Sequence, residues 1–145
     1  MKVKEIMTKE VEVIHPDDTL QIAAQKMANR DIGFLPVLEA DQLVGVITDR
    51  DLVLRGVAQG LNSTAMLGRE LMTSPVIYCF EDQDVKDAVK LMEESQIRRL
   101  VILSRSEKRP VGVVSLGDLA LNSKPDTSAE VLRKFRSLST KWQVL

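Results

Sequence analysis

The chain has 145 residues and a formal net charge of -1, from 20 Lys+Arg against 21 Asp+Glu, so bulk electrostatics draws neither nucleic acid nor any other strongly charged partner. With 44% apolar and 28% charged residues it reads as a globular protein, which excludes disordered and collagen-like chains. Cys79 and His15 stand alone in their types, which removes disulfide frameworks, Cys/His zinc sites and most nucleophilic enzyme chemistry.

The N-terminal stretch MKVKEIMTKEVEV carries charges where a signal peptide needs its apolar core. No apolar run approaches the roughly 18 residues of a membrane span, so a cytoplasmic protein is expected. A short lead-in, VKEIM, comes first. Val11 and Val13 then read as a β-branched strand, and the acidic turn HPDDT that follows can cap a helix. Leu20, Ala23, Ala24 and Met27 fall at i, i+3, i+4 and i+7, one apolar stripe of a helix that ends near Asn29. Two strands follow, at 34–38 and 43–48, joined by the polar turn EADQ, and a second helix opens at TDRDL. The segment from Gly56 to Met66 reads as a connection.

The same order then returns. Sliding the chain by 65 positions lays residues 4–38 over 69–103 with ten identities: Glu5/Glu70, Met7/Met72, Thr8/Thr73, Val11/Val76, Asp17/Asp82, Ala23/Ala88, Met27/Met92, Ile32/Ile97, Leu35/Leu100 and Leu38/Leu103. A slide of 67 lays VGVITDRDL over VGVVSLGDL. Unrelated segments match at about one position in fifteen or twenty, so the chain is a duplication. The second copy has its lead-in LGREL, its strand at 76–78, its turn EDQD, its helix stripe Val85, Ala88, Val89 and Met92, and strands at 100–103 and 111–115. The repeats are taken as 1–60 and 61–121, each β-α-β-β-α, with a tail from 122 to 145. A unit of about fifty residues makes too small a core alone, so the two repeats are expected to pack as a pseudo-twofold pair.

Each repeat ends its last strand on a hydroxyl residue followed three positions later by a carboxylate, Thr48 with Asp51 and Ser115 with Asp118. That spacing is a capping box, in which the hydroxyl and the carboxylate satisfy backbone N–H groups at a helix start. The same arrangement also suits a nucleotide, because a carboxylate there can accept from a ribose diol. Asp49 and Asp51, two apart on a helix start, do not share a face and make no catalytic carboxylate pair. No GxxxxGK[ST], GxGxxG, HExxH or GxSxG motif occurs.

The twice-repeated Val-Gly-Val-apolar-[Thr/Ser]-x-x-Asp-Leu, with Ile6-Met7-Thr8, Leu71-Met72-Thr73 and Ile32 before Leu35-Pro36-Val37, resembles the CBS-domain family. Over about residues 1–121 the chain is similar to a free-standing tandem CBS pair, or Bateman module. The resemblance implies an α/β (α+β) fold and a regulatory module without catalysis. Its ligand would be an adenosyl compound, AMP, ADP, ATP or S-adenosylmethionine, with NAD also considered, held in a cleft between the repeats of a homodimeric protein. Carried over by position, Asp51 and Asp118 would hold ribose hydroxyls, and Thr48 and Ser115 would assist at sugar or phosphate. Backbone around Val11 and Val13, and around Val76 and Tyr78, would face the adenine edge. Arg98 and Arg99 would meet phosphate from the second copy, where the first has Gly33 and Phe34, and Arg50 from the first, where the second has Gly117. The two sites are therefore expected to differ, one taking phosphate better. The second copy also departs from the pattern at Val101, where the first keeps Pro36.

A lone His15 reads as structural, Cys79 in an apolar strand as a small buried hydrophobe, and Met7, Met27, Met66, Met72 and Met92 as core. The tail is expected to form a basic amphipathic helix from a capping box at 127–130, with Val131, Phe135, Leu138 and Trp142 on one stripe. That helix would pack back on its own module, or dock a partner protein or an anionic surface. The competing functional class is a ligand-independent scaffold for dimerisation or protein interaction.

Overall fold

The computed structural model describes residues 1–122 together with Pro125, Asp126, Ala129 and Arg133; these four are helical, and the rest of the expected tail helix, including Thr127, Ser128 and Glu130 of its capping box and its apolar stripe, lies outside the described residues. The chain divides into two compact units, one of Val11–Val76 and one of Met1–Glu10 with the described residues from Ile77 onward. Each is a mixed α+β unit around its own small sheet.

In the Val11–Val76 unit, helix α1 (Leu20–Arg30) opens on Thr19, whose hydroxyl accepts from the Ile22 N–H at 3.3 Å. The cap is thus the threonine rather than an aspartate of the turn, because Asp18 is engaged by the His15 N–H at 2.8 Å. Strands β1 (Phe34–Glu39) and β2 (Gln42–Thr48) form an antiparallel hairpin whose turn residues Ala40 and Asp41 both have positive φ, 50° and 63°. Positive φ at both positions matches the right-handed twist of the strands. Beyond Thr48, helix α2 (Asp49–Asp51) runs on through a π turn, Leu52–Gly56, and a 3-10 turn, Val57–Gln59, to Gly60 at φ 69°. The connection expected from Gly56 is therefore shorter, since the chain stays helical to Gln59. The strand expected at Val11 and Val13 is reduced to one parallel bridge, Ile14 to Val37, because Pro36 on β1 has no N–H to extend the ladder where the other unit has Val101; the Val13 carbonyl instead accepts from the Lys26 ammonium at 2.7 Å. Helix α3 (Gly68–Leu71) completes the unit.

The other unit repeats this plan with β3 (Tyr78–Phe80), α4 (Val85–Ser95), β4 (Arg99–Leu103), β5 (Pro110–Ser115) and α5 (Leu116–Asn122). Its sheet has the order β3-β4-β5, with β3 parallel and β5 antiparallel to β4. The register slips at the same place in both hairpins, between Val37 and Leu38 and between Ile102 and Leu103. Both long helices end on a left-handed residue, Asp31 at φ 52° and Gln96 at φ 58°.

Each core lies between the sheet and the stripe of its helix. In one, Leu20, Ala23 and Met27 meet Leu35, Val37 and Ile47; in the other, Val85, Ala88 and Met92 meet Leu100, Ile102 and Val114. Fully burying one such Leu, Ile or Val contributes about 1.5–3 kcal/mol. Met27 and Met92 are in these cores, and Met7, Met66 and Met72 pack against them.

The lead-ins are exchanged between the repeats. In the unit of the second repeat, the Val3 N–H donates to Gln83 O at 2.9 Å, Lys4 N–H to Glu81 O at 3.0 Å and Val85 N–H to Met1 O at 3.0 Å. In the unit of the first repeat, 65 positions away in register, Gly68 N–H donates to Asp18 O at 2.7 Å, Arg69 N–H to Pro16 O at 2.9 Å and Leu20 N–H to Met66 O at 2.8 Å. Thr8 pairs with Val113 and Thr73 with Val46, each through two N–H to carbonyl bonds. The compact units thus cut across the sequence repeats, with Met1–Glu10 joining the second copy and the stretch up to Val76 joining the first. The strand glycines explain the fit. A Cβ on Gly45 would stand 2.6 Å from Met72 Sδ, and one on Gly112 2.5 Å from Met7 Sδ.

Candidate ligand site at the strand-to-helix junctions

Both capping boxes are formed. The Thr48 hydroxyl accepts from the Asp51 N–H at 3.1 Å and Asp51 Oδ2 from the Thr48 N–H at 2.9 Å. The Ser115 hydroxyl accepts from the Asp118 N–H at 3.0 Å and Asp118 Oδ2 from the Ser115 N–H at 2.9 Å. In both, one carboxylate oxygen is spent on the backbone, and Oδ1 remains for other chemistry.

The residue before the middle strand is fixed against each junction. Asp49 N–H donates to Gly33 O at 2.9 Å, and Leu116 N–H to Arg98 O at 2.9 Å. A Cβ on Gly33 would come within 2.5 Å of Asp49 Oδ2, so a side chain there would need the Asp49 carboxylate to turn aside. In the second unit Arg99 pairs with Ser115, and Tyr78 pairs with Val101, which in turn pairs with Val113. Side chains alternate along a strand, so Tyr78, Arg99 and Ser115 share one face of the sheet, opposite to the Leu100, Ile102 and Val114 core. Tyr78 and Arg99 are exposed, while Arg98, Ser115 and Asp118 are half-buried. The Tyr78 ring is edge-on to Phe80, with centroids 5.6 Å apart.

In the first unit, Phe34 pairs with Thr48 and Ile14 with Val37, which puts Val13 and Thr48 on the corresponding face. Here the surroundings differ. Lys26, itself 3.4 Å from Glu12 Oε1, donates to the Val13 carbonyl. Asp51 Oδ1 lies 3.8 Å from Arg55 Nε, and the Arg55 guanidinium also donates to the carbonyls of Leu71 at 3.2 Å and Met72 at 3.1 Å. Val11 is half-buried ahead of the Ile14 bridge, Arg50 is exposed and Val76 is half-buried at the end of the unit. Lys26 and Arg55 were not singled out from sequence; the i, i+4 spacing of Asp51 and Arg55 was the available signal.

The two remaining singular residues are local. His15 Nδ1 accepts from the Asp17 N–H at 3.0 Å, which orders the turn. Burial pushes the Cys79 thiol up to about 11, leaving it protonated and inert at neutral pH.

The CBS domain profile matches residues 3–57 and 68–123. The chain belongs to the CBS-domain family. It is 39% identical over 127 residues to the CBS domain-containing protein YhcV of Bacillus subtilis, covering 88% of this chain and 89% of that one. The solved structure of Hypoxic Response Protein I, with two coordinated zinc ions, matches at a TM-score of 0.76 and 34% identity over 86% of this chain and 100% of that one. Among the described residues of this CBS pair, no three of His, Cys, Asp and Glu stand together as a metal site. The CBS domain pair of protein MJ0100, solved with 5′-methylthioadenosine and S-adenosyl-L-methionine, matches at a TM-score of 0.75 and 27% identity, covering 83% and 94% of the two chains. Among the described residues no helix is long and apolar enough to cross a membrane.

Proposed function

We propose that this CBS pair is a regulatory module that binds an adenosyl ligand, AMP, ADP, ATP or S-adenosylmethionine, at a strand-to-helix junction, and that it catalyses no reaction. The observation that carries the reading is the shared sheet face of Tyr78, Arg99 and Ser115 with the capped carboxylate of Asp118 beside it. An aromatic ring, a guanidinium, a hydroxyl and a carboxylate match the parts of such a ligand: purine face, phosphate, and sugar hydroxyls. The first junction offers Thr48, Arg50 and Asp51 as the corresponding polar set, with backbone near Val11 and Val13. Support also comes from the MJ0100 pair, which holds two adenosyl compounds.

Regulation follows from differential affinity. A ligand that binds one arrangement of the module better than another shifts the population by the difference in binding free energy. Thermal melting of the full chain with AMP, ATP, S-adenosylmethionine and NAD tests this. A native-state ligand at 100 times its Kd stabilises by about 2.7 kcal/mol, so a concentration-dependent rise in Tm is expected. A flat response to every adenosyl compound contradicts the reading.

A second reading, a self-associating scaffold, is favoured by one observation. The helical stretch after Thr48 exposes Val53 at 54%, Leu54 at 46% and Val57 at 66%. An apolar strip of this kind suits a homodimer contact, and size-exclusion chromatography with light scattering on Val57→Glu distinguishes it from a solvated face. A partner protein docked through the C-terminal helix belongs to the same reading.

A further inference from the structure

The two junctions have the same backbone and different chemistry. We propose that only the junction of Tyr78, Arg98, Arg99, Ser115 and Asp118 takes an adenosine phosphate, while Arg55 holds the Thr48–Asp51 junction shut. This rests on the adenosyl reading above and adds which half is occupied and with what class of ligand.

The capping box consumes Oδ2 of either aspartate, so a sugar hydroxyl must be met by Oδ1. At Asp51 that oxygen faces Arg55 Nε at 3.8 Å. Arg55 is not a loose surface cation, because two main-chain carbonyls, Leu71 O and Met72 O, fix its other end. Held there, the guanidinium stays beside Asp51 Oδ1 and competes with a sugar hydroxyl for it. At Asp118 no partner for Oδ1 is found among the described residues. The residue corresponding to Arg55 is Asn122, whose amide donates to the Asp118 carbonyl on the backbone and leaves the carboxylate alone.

Two further differences act in the same direction. Lys26 caps the Val13 carbonyl, which withdraws an acceptor from the edge of the first site, whereas the corresponding position, Leu91, has no donor to do so. Charge also separates the sites. Arg98 and Arg99 precede and open the middle strand of the second unit where the first has Gly33 and Phe34, so only the second carries guanidinium donors for a phosphate at this place.

Isothermal titration of the full chain with ATP, then AMP, decides it. The expected result is one nucleotide per chain. Asp118→Asn and the double variant Arg98→Ala/Arg99→Ala are each expected to weaken ATP by at least roughly tenfold, the scale of one lost charged hydrogen bond. Arg55→Gln is expected to admit adenosine, which carries the sugar without a phosphate, at the first junction, and adding Asp51→Asn to it abolishes that binding. Two nucleotides on the unmodified chain, or ATP binding untouched by Asp118→Asn, overturns the assignment, and both readings stand even where Arg55→Gln fails to fold. Binding of S-adenosylmethionine without either nucleotide overturns the phosphate class alone. No binding of any of the three overturns the adenosyl reading and this inference together.

Discussion

Gly45 and Gly112 show how a single residue type can hold an element in place. Each lies under a methionine of the exchanged lead-in, and a Cβ at Gly112 would also stand 3.0 Å from Thr8 O, which is main chain and cannot swing away. Gly112→Val is therefore expected to unseat Met7 and Thr8 and cost about 1–3 kcal/mol, read as a lowered midpoint in urea. Asp82 offers a second residue-scale test. A bidentate hydrogen bond from Arg105, 2.8 and 2.9 Å, with the guanidinium charge, holds its carboxyl below the usual aspartate value of 3.8. A carboxyl lowered in the folded state contributes stability that is complete above the unfolded value and is lost as pH falls through the folded one. Asp82→Asn is thus expected to lower Tm at pH 7 and to narrow its gap to the parent below pH 4; an unchanged gap across that range would speak against the pair. Asp17 is lowered by Arg69 in the same way, although Arg69 and Arg105 do not correspond in the repeat.

Among elements, the lead-ins are the ones whose partners the sequence did not disclose. The duplication, the helix stripes, both hairpins and both capping boxes could be read from spacing, because 3.6-residue and two-residue periods are local properties. Which sheet edge receives Ile6-Met7-Thr8 is not local. The same apolar pattern fits either copy, and only the pairing of Thr8 with Val113 and Thr73 with Val46 decides it. Spacing likewise identified Asp51 and Asp118 as equivalents, but the inequality between them comes from Arg55 reaching Leu71 and Met72, 16 and 17 residues away. The short first strand has a cause that is local, Pro36, which cannot donate to the ladder where the second copy has Val101. Because Val3 is fully buried in the core with Val85, Ala88 and Leu119, deletion of residues 1–8 is expected to destabilise the second repeat's unit while sparing the Val11–Val76 unit. Hydrogen exchange would show it as lost protection in α4 and β4 with α1 and β1 retained; uniform loss in both units would contradict the exchange.

For the whole molecule, a duplicated fold supplied two junctions with one backbone design, and later side-chain differences set them different tasks. One sets an aromatic ring, an arginine and a hydroxyl on a single sheet face beside a capped carboxylate; in the other an arginine bound to main-chain carbonyls of Leu71 and Met72 stands beside the carboxylate. The most direct measurement is an amide NMR titration of the full chain with ATP. The expected result is saturable shifts confined chiefly to Tyr78, Arg98, Arg99 and the 115–118 turn, with the 48–51 turn little changed. Shifts centred on 48–51, or none at millimolar nucleotide, would contradict it.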